Sequence, residues 1–300
     1  MTAAPISISS LLYLHKLWLE KREGGRRADL TGITLNEALL VGADLREAIL
    51  AGATLLDANL AEAKLNGAKL NRADFQRTNL AGADLTGADL SHADFAGAWL
   101  QHADFSETSG ACVSFRRAKL VEARMPDTAF RQANFRQVSA MRGAFHQTRL
   151  YEVDFRDSDL TAAEFPHASL QHVDFTGAKG SAVNFGGSRI AYCDFPGTEL
   201  RAAKFARVEC IQSSFRGALL AECDFRDLRL LGGDFNHAVF AGARFGGAHL
   251  KMADLRGANL RGARELTSDQ LGQALTDSST ILPNGSHGPY RRLSGAERPR

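Results

Sequence analysis

An all-β solenoid is the fold this sequence predicts, on three observations. The residue at every fifth position from Leu30 to Leu260 is Leu or Phe in 41 of 47 cases, and all 18 Phe of the chain stand in that register. Gly110, Met125, Ala140, Gly180, Ile190 and Cys210 are the exceptions. Two residues before each of these positions, only Ile33 and Leu228 are neither Ala, Gly, Ser, Thr, Cys nor Val. A period of five suits neither a helix nor a flat strand. It suits short units that bury an apolar residue only by stacking on their neighbours. The third observation sets the turn length. Phe75, Phe95, Phe115, Phe135, Phe155, Phe175, Phe195, Phe215 and Phe235 are spaced by twenty, and Phe145 to Phe245 form a second such series. On a four-sided coil this stacks Phe on two opposite sides and Leu on the other two, so large and small layers interdigitate.

The elements follow in order. Residues 1–27 predict an N-terminal capping helix in SSLLYLHKLWLEKREGG: Ser9 or Ser10 as N-cap, Leu11, Leu14 and Trp18 as an apolar stripe, Lys16 and Glu20 as an i,i+4 pair, and Gly24-Gly25 as the stop. Residues 28–265 are the repeat, expected as one elongated domain. Its 47 units give 47/4, about twelve coils, hence a rod of roughly 55–60 Å at ~4.8 Å per coil. Residues 266–283 predict a C-terminal capping helix, with Thr267 or Ser268 as N-cap and Leu271 and Leu275 docking. Such caps cover the open edges that a β-coil leaves at its ends. Residues 284–300, rich in Gly, Pro, Ser and Arg, are expected to be disordered.

Composition narrows the function. The chain's net charge is +2; residues 1–27 hold five Lys/Arg and two Asp/Glu, and residues 266–300 hold four and three. Subtracting these from 36 and 34 leaves 27 basic and 29 acidic residues in the repeat, a net of −2. So balanced a surface has no overall field to steer nucleic acid. No stretch approaches membrane-spanning length and no signal peptide opens the chain, so cytoplasmic residence is expected. Four cysteines without a CxxC pair fit a reducing compartment; Cys193, Cys210 and Cys223 hold inward positions and Cys112 an outward one.

The unit in ADLTGADLSHADFAGAWLQHADF is small, Asp/Asn, Leu/Phe, polar, then often Gly. It resembles the A(D/N)LXX consensus of the pentapeptide-repeat family over about four-fifths of the chain. The resemblance implies a right-handed quadrilateral β-helix, four pentapeptides to a square turn, with Leu/Phe and the small residue inward. It also implies that the Asp at positions such as Asp74, Asp94, Asp154, Asp174, Asp194 and Asp234 bonds turn backbone rather than serving acid/base chemistry. The best-known members resist fluoroquinolones and topoisomerase poisons by resembling B-DNA in width and negative charge. The N-terminal run LHKLWLEKREGGRRADL looks like the heads of bacterial members of uncertain role, some thought to accompany secretion machinery or regulatory systems.

No nucleophile elbow, phosphate loop or zinc signature is present. An interior filled by Leu and Phe leaves no cleft, so no catalytic, cofactor or metal residue is assigned and the protein is not expected to be an enzyme. Residues twenty apart are spatial neighbours, which aligns Arg72, His92, Cys112, Gln132, Glu152, His172 and Tyr192 in one outer column. Metal binding would need further ligands converging on a point, and Gln132 separates the pairs His92–Cys112 and Glu152–His172. Trp99, Leu39, Leu219 and Val239 face outward on one side but are scattered.

Charge supplies the candidate site. Arg116, Arg117, Lys119, Arg124, Arg131, Arg136, Arg142 and Arg149 stand against Glu122 and Asp127, a net of +6 within about two coils. Residues 151–175 that follow carry a net of −5. The basic belt suits an acidic partner, because the arginine fork matches carboxylate or phosphate. The leading expectation is a non-enzymatic, cytoplasmic interaction scaffold with a protein partner of unknown identity and without direct nucleic-acid or membrane binding. The alternative is a DNA mimic that binds gyrase or topoisomerase. The mid-chain basic belt and the lack of a loop interrupting the repeat weigh against it.

Overall fold

In the computed structural model, which describes residues 7–299, the chain is an all-β parallel solenoid with two short helices. Residues 1–6 of the expected N-terminal cap and Arg300 of the tail lie outside the described residues. The chain divides into two compact units, Met1–Asn134 and Phe135–Arg300. Each coil touches only its neighbours, so a solenoid need not cohere as one body.

Seven three-residue strands recur every twenty residues and mark about six turns. The first unit holds β1 (Ser109–Ala111) and β2 (Ala129–Arg131), paired parallel with Gly110 opposite Phe130. The second holds β3 (Arg149–Tyr151), β4 (Ser169–Gln171), β5 (Arg189–Ala191), β6 (Glu209–Ile211) and β7 (Arg229–Leu231), parallel and paired in sequence order. Isolated parallel bridges at the same twenty-residue offset extend the strand side, as in Asp29↔Ile49, and define the other three, as in Thr34↔Thr54, Leu39↔Asn59 and Asp44↔Lys64. Each unit therefore has four sides, named here by their core residues: first (Leu30, Leu50), second (Leu35, Leu55), third (Leu40, Leu60) and fourth (Leu45, Leu65).

The backbone polar groups are met between coils. Leu50 N–H donates to Lys69 O at 2.8 Å, Lys69 N–H to Ala48 O at 2.9 Å, and Gly52 N–H to Asn71 O at 2.9 Å. The coil turns each corner by placing the second residue after the core position at left-handed φ, for example Glu62 at 59° and Arg77 at 54°. Such backbone is uncommon outside glycine and persists only where surrounding structure fixes it. Inside, Phe rings stack along a side and meet edge-to-face across it. Phe155 and Phe175 lie 5.2 Å apart at 6°, and Phe155 and Phe165 lie 6.1 Å apart at 88°. Both arrangements are favourable aromatic geometries.

The first helix, α1 (Ile8–Leu19), is capped by Ser7, whose Oγ accepts the Ser10 N–H, rather than by Ser9 or Ser10. It stops at Glu20, short of Gly24-Gly25, while Lys16 and Glu20 pair at 4.0 Å as expected. The buried residues are His15 and Leu17, whereas Leu11, Leu14 and Trp18 are only half-buried. His15 explains the difference: its Nδ1 accepts the Ala28 N–H at 3.1 Å and its Nε2 donates to Arg46 O at 3.0 Å, pinning the helix to the first coil.

Burial holds the His15 pKa below its ordinary 6.5, with the Arg46 carbonyl and Asp44 opposing and Arg27 and Arg46 reinforcing the effect. The unfolded ring therefore takes a proton first. Its contribution to stability is complete above about pH 6.5 and lost as pH falls through the folded value. Trp18, stacked on His15 at 5.6 Å, is the reporter. In a Trp99→Phe background, acidification from about pH 8 to about pH 5 is expected to shift Trp18 emission. His15→Ala should remove that response, and an unchanged titration in His15→Ala would assign it elsewhere.

The second helix, α2 (Ser268–Gln273), has Thr267 as N-cap in a capping box with Gln270. Leu271 is buried as expected, but Leu275 is not: it lies beyond the helix, 42% exposed, and acts through its backbone. Leu255 N–H donates to Leu275 O and Leu275 N–H to Ala253 O, both at 2.8 Å, adding a parallel bridge to the last coil. Residues 284–299 also differ from the disordered tail expected. Asn284 N–H donates to Ala296 O, Tyr290 O–H lies 2.8 Å from Ser268 Oγ, and Ala296 is buried. Composition alone could not show that Tyr290 and Ala296 find partners on the cap.

Candidate interaction surface

The chemistry available inside is slight. Phe and Leu at the core positions of both units are almost wholly buried. Burial pushes the thiols of Cys193, Cys210 and Cys223 up to about 12, so they stay protonated and unreactive. The recurring Asp is occupied by turn backbone: Asp74, Asp94, Asp154, Asp174 and Asp234 accept the amides of Gln76, Ala96, Arg156, Thr176 and Asn236 at 2.9–3.0 Å. Asp194 differs. Pro196 has no N–H to give it, and burial with the neighbouring Asp174 raises its pKa.

The residues of the basic belt do not converge. In the first unit Arg131 lies on the first side, Arg116 and Arg117 on the second, Lys119 on the third and Arg124 on the fourth. Arg124 pairs with Asp104 at 3.1 Å, and Lys119 Nζ sits 5.7 Å over the Trp99 ring. In the second unit Arg149 lies on the first side, Arg136 on the second and Arg142 on the third; Arg136 pairs with Asp157 at 3.3 Å. Among the described residues no three His, Cys, Asp or Glu gather where a metal ion could be held. Of the outward apolar residues, Leu39 is 84% exposed in the first unit, while Leu219 and Val239 stand side by side on adjacent coils of the second.

A surface that sequence reasoning missed lies on the first side of the second unit, where β3 to β7 run. Outward residues alternate with the buried Leu150, Leu170, Ile190, Cys210 and Leu230. One outward row reads Arg149, Ser169, Arg189, Glu209, Arg229 and then His249. None of Arg149, Arg189 and Arg229 makes an ion pair within 4.0 Å among the described residues. Across the strand, at the following corner, an apolar and aromatic ridge runs Tyr151, His172, Tyr192, Ile211, Leu231 and Met252. His172 stacks on Tyr192 at 5.1 Å and meets Tyr151 edge-on at 5.7 Å. Tyr192, Leu231 and Met252 are exposed. On the other flank, a groove of about 540 Å³ is lined by Arg189, Arg207, Glu209, Asp227, Arg229 and His249. The column holding Glu152, His172 and Tyr192 was visible in the sequence. The column one residue before it, Tyr151 to Leu231, completes the ridge.

A family model for pentapeptide repeats matches eight times, at residues 28–67, 55–91, 68–107, 88–125, 100–137, 144–179, 203–242 and 238–264. The chain belongs to the pentapeptide-repeat family. Among solved structures, this pentapeptide-repeat protein is similar to HetL, involved in heterocyst differentiation regulation, from the cyanobacterium Nostoc sp. strain PCC 7120. Identity is 21% over 94% of this chain and 100% of HetL, with a TM-score of 0.52, which shows the fold. It matches Rfr23 from the cyanobacterium Cyanothece 51142 at 18% identity over 41% of this chain and 89% of that one, TM-score 0.29. It matches full-length QnrB1, a plasmid-mediated fluoroquinolone resistance protein, at 13% over 84% and 92%, TM-score 0.25. No curated protein matches the chain.

Proposed function

We propose that this pentapeptide-repeat protein is a non-enzymatic, cytoplasmic interaction scaffold, read by a protein partner from its outer sides. The supporting observation is the filled interior: Phe75 to Phe205 include twelve rings less than 2% exposed, so recognition falls to the exterior. The free thiols of Cys193, Cys210 and Cys223 fit a reducing compartment. Among the described residues no helix is long and apolar enough to cross a membrane. A right-handed coil of about twelve turns belongs to this reading; twenty-residue bridges run from Asp29 to Asn134 in the first unit and from Ser139 to Arg264 in the second.

The alternative, gyrase protection by DNA mimicry, calls for a continuous acidic side. The first side of the second unit, with Arg149, Arg189 and Arg229, favours the scaffold instead. A gyrase supercoiling assay with and without a quinolone separates the two. The scaffold reading expects no inhibition and no protection, and recovery of supercoiling in the presence of the drug would replace it with the DNA mimic.

A further inference from the structure

We propose that the first side of the second unit docks an extended acidic protein segment carrying alternate apolar side chains. The proposal deepens the scaffold reading and rests on it. Three features of the surface specify the occupant.

Charge comes first. Arg149, Arg189, Arg229 and Lys251 face Glu209 and Glu152, four basic residues against two acidic. The arginines stand two coils apart, ~9.6 Å, each able to take a carboxylate through two N–H groups. Second, the ridge of Tyr151, Tyr192, Ile211, Leu231 and Met252 runs beside this row, ~6.6 Å away across the strand. Tyr, Arg and Met are the residue types enriched at protein interfaces, and buried Tyr and Arg anchors carry most of their binding energy. Third, the two rows are parallel. A segment lying between them turns its odd side chains toward the arginine row and its even ones toward the ridge, as an extended strand alternates; odd positions recur every ~6.6 Å, so the first and fourth of them, ~20 Å apart, meet Arg149 and Arg229. From β3 to Met252 are five coil spacings of ~4.8 Å, about 24 Å, or about seven to eight residues.

The same features disfavour a nucleic acid. Glu209 interrupts the arginine row and Asp227 lines the adjoining groove, so each would face a phosphate backbone. Ile211, Leu231 and Met252 have no ring on which a base would stack, and the rings of His172 and Tyr192 are already stacked on each other.

The test uses the full chain and a fluorescein-labelled peptide of about eight alternating Glu and Leu residues, read by fluorescence anisotropy. Binding is expected and should weaken as salt rises. Arg149→Glu/Arg189→Glu/Arg229→Glu should weaken it at least ~10-fold, as should Leu231→Ser/Met252→Ser, while Arg116→Glu/Arg117→Glu in the first unit leaves it unchanged. All these side chains point outward, and an unaltered melting curve confirms that each variant is folded. No binding up to ~1 mM, equal binding by the triple variant, or tighter binding of poly(U) than of the peptide would overturn the proposal. Affinity capture from a host lysate separates this site from the scaffold reading. A partner retained by the triple variant keeps the scaffold and removes the site. Peptide binding that obeys these rules, with inhibition of gyrase in the supercoiling assay, keeps the site and removes the scaffold.

Discussion

Phe155→Asp is expected to lower the melting temperature by roughly 10–20 °C and to drive the protein into soluble aggregates or inclusion bodies. The Phe155 ring is wholly buried between Phe135 at 4.7 Å and Phe175 at 5.2 Å, with the edges of Phe145 and Phe165 at 6.1 Å. Removing such a ring costs about 3–5 kcal/mol from lost contacts and residual cavity. A carboxylate left there without a partner costs several more, because it must either stay ionised in an apolar stack or take up a proton. The damage should spread to the adjacent coils, since each side chain layer is completed by the next. Phe155→Leu keeps an apolar side chain of the repeat's own kind and should cost about 1.5 kcal/mol or less. Circular dichroism melts and size-exclusion chromatography of the two variants check the pair. Equal melting temperatures would mean that ring burial contributes little to this fold.

Restoring the repeat consensus at Gly110 by Gly110→Leu is expected to destabilise the first unit by about 1–3 kcal/mol, although Leu is the commonest residue of that register. A side chain there meets close neighbours on two sides. Its Cβ would lie 2.6 Å from Val113 Cγ2 and 3.2 Å from the Leu90 carbonyl carbon. The neighbouring small position explains why: Val113 replaces the usual Ala, and its methyl fills the space that a core Leu would take. The second unit repeats the exchange, with a Cβ on Gly180 falling 3.3 Å from Val183 Cγ1 and 2.8 Å from Leu200 Cδ2. Gly110→Leu/Val113→Ala should therefore recover most of the loss. A double-mutant cycle measured by thermal melts reads the coupling directly. Additive losses would show that the two positions do not share one volume.

Much of the fold was legible because the core obeys one rule. The spacing of Phe75 to Phe235 by twenty implies the four-sided turn, and the ring stacks show which side chains lie over which. Two short helices stand near the two ends of the described residues, but some of their contacts differ from those expected. Hydrophobic periodicity proposed Leu11 and Leu14, whereas the anchoring residue is His15, a polar side chain buried because both ring nitrogens find backbone partners. No pattern of apolar spacing carries that information. Leu275 failed for the related reason that its role is a backbone pairing. The candidate surface shows the other limit. Arginines close in sequence make a belt around the coil rather than a face, because five residues advance the chain by one side and neighbours in sequence point in different directions. The residues that share a surface, Arg149, Arg189 and Arg229, are forty apart. The ridge from Tyr151 to Met252 likewise emerges only when the chain is folded into columns.

The twenty-residue register also determines how such a protein can change its length. An insertion of five residues leaves every core position filled, yet turns the whole downstream exterior by a quarter revolution, carrying Arg229 and Leu231 out of line with Arg189 and Tyr192. An insertion of twenty slides the same pattern along the axis with its bearing intact. The first change breaks the Phe stacks only at the junction, where ring columns meet Leu columns, but it misaligns recognition along everything downstream, so drift in repeat number would act chiefly as a phase error for whatever grips the outside.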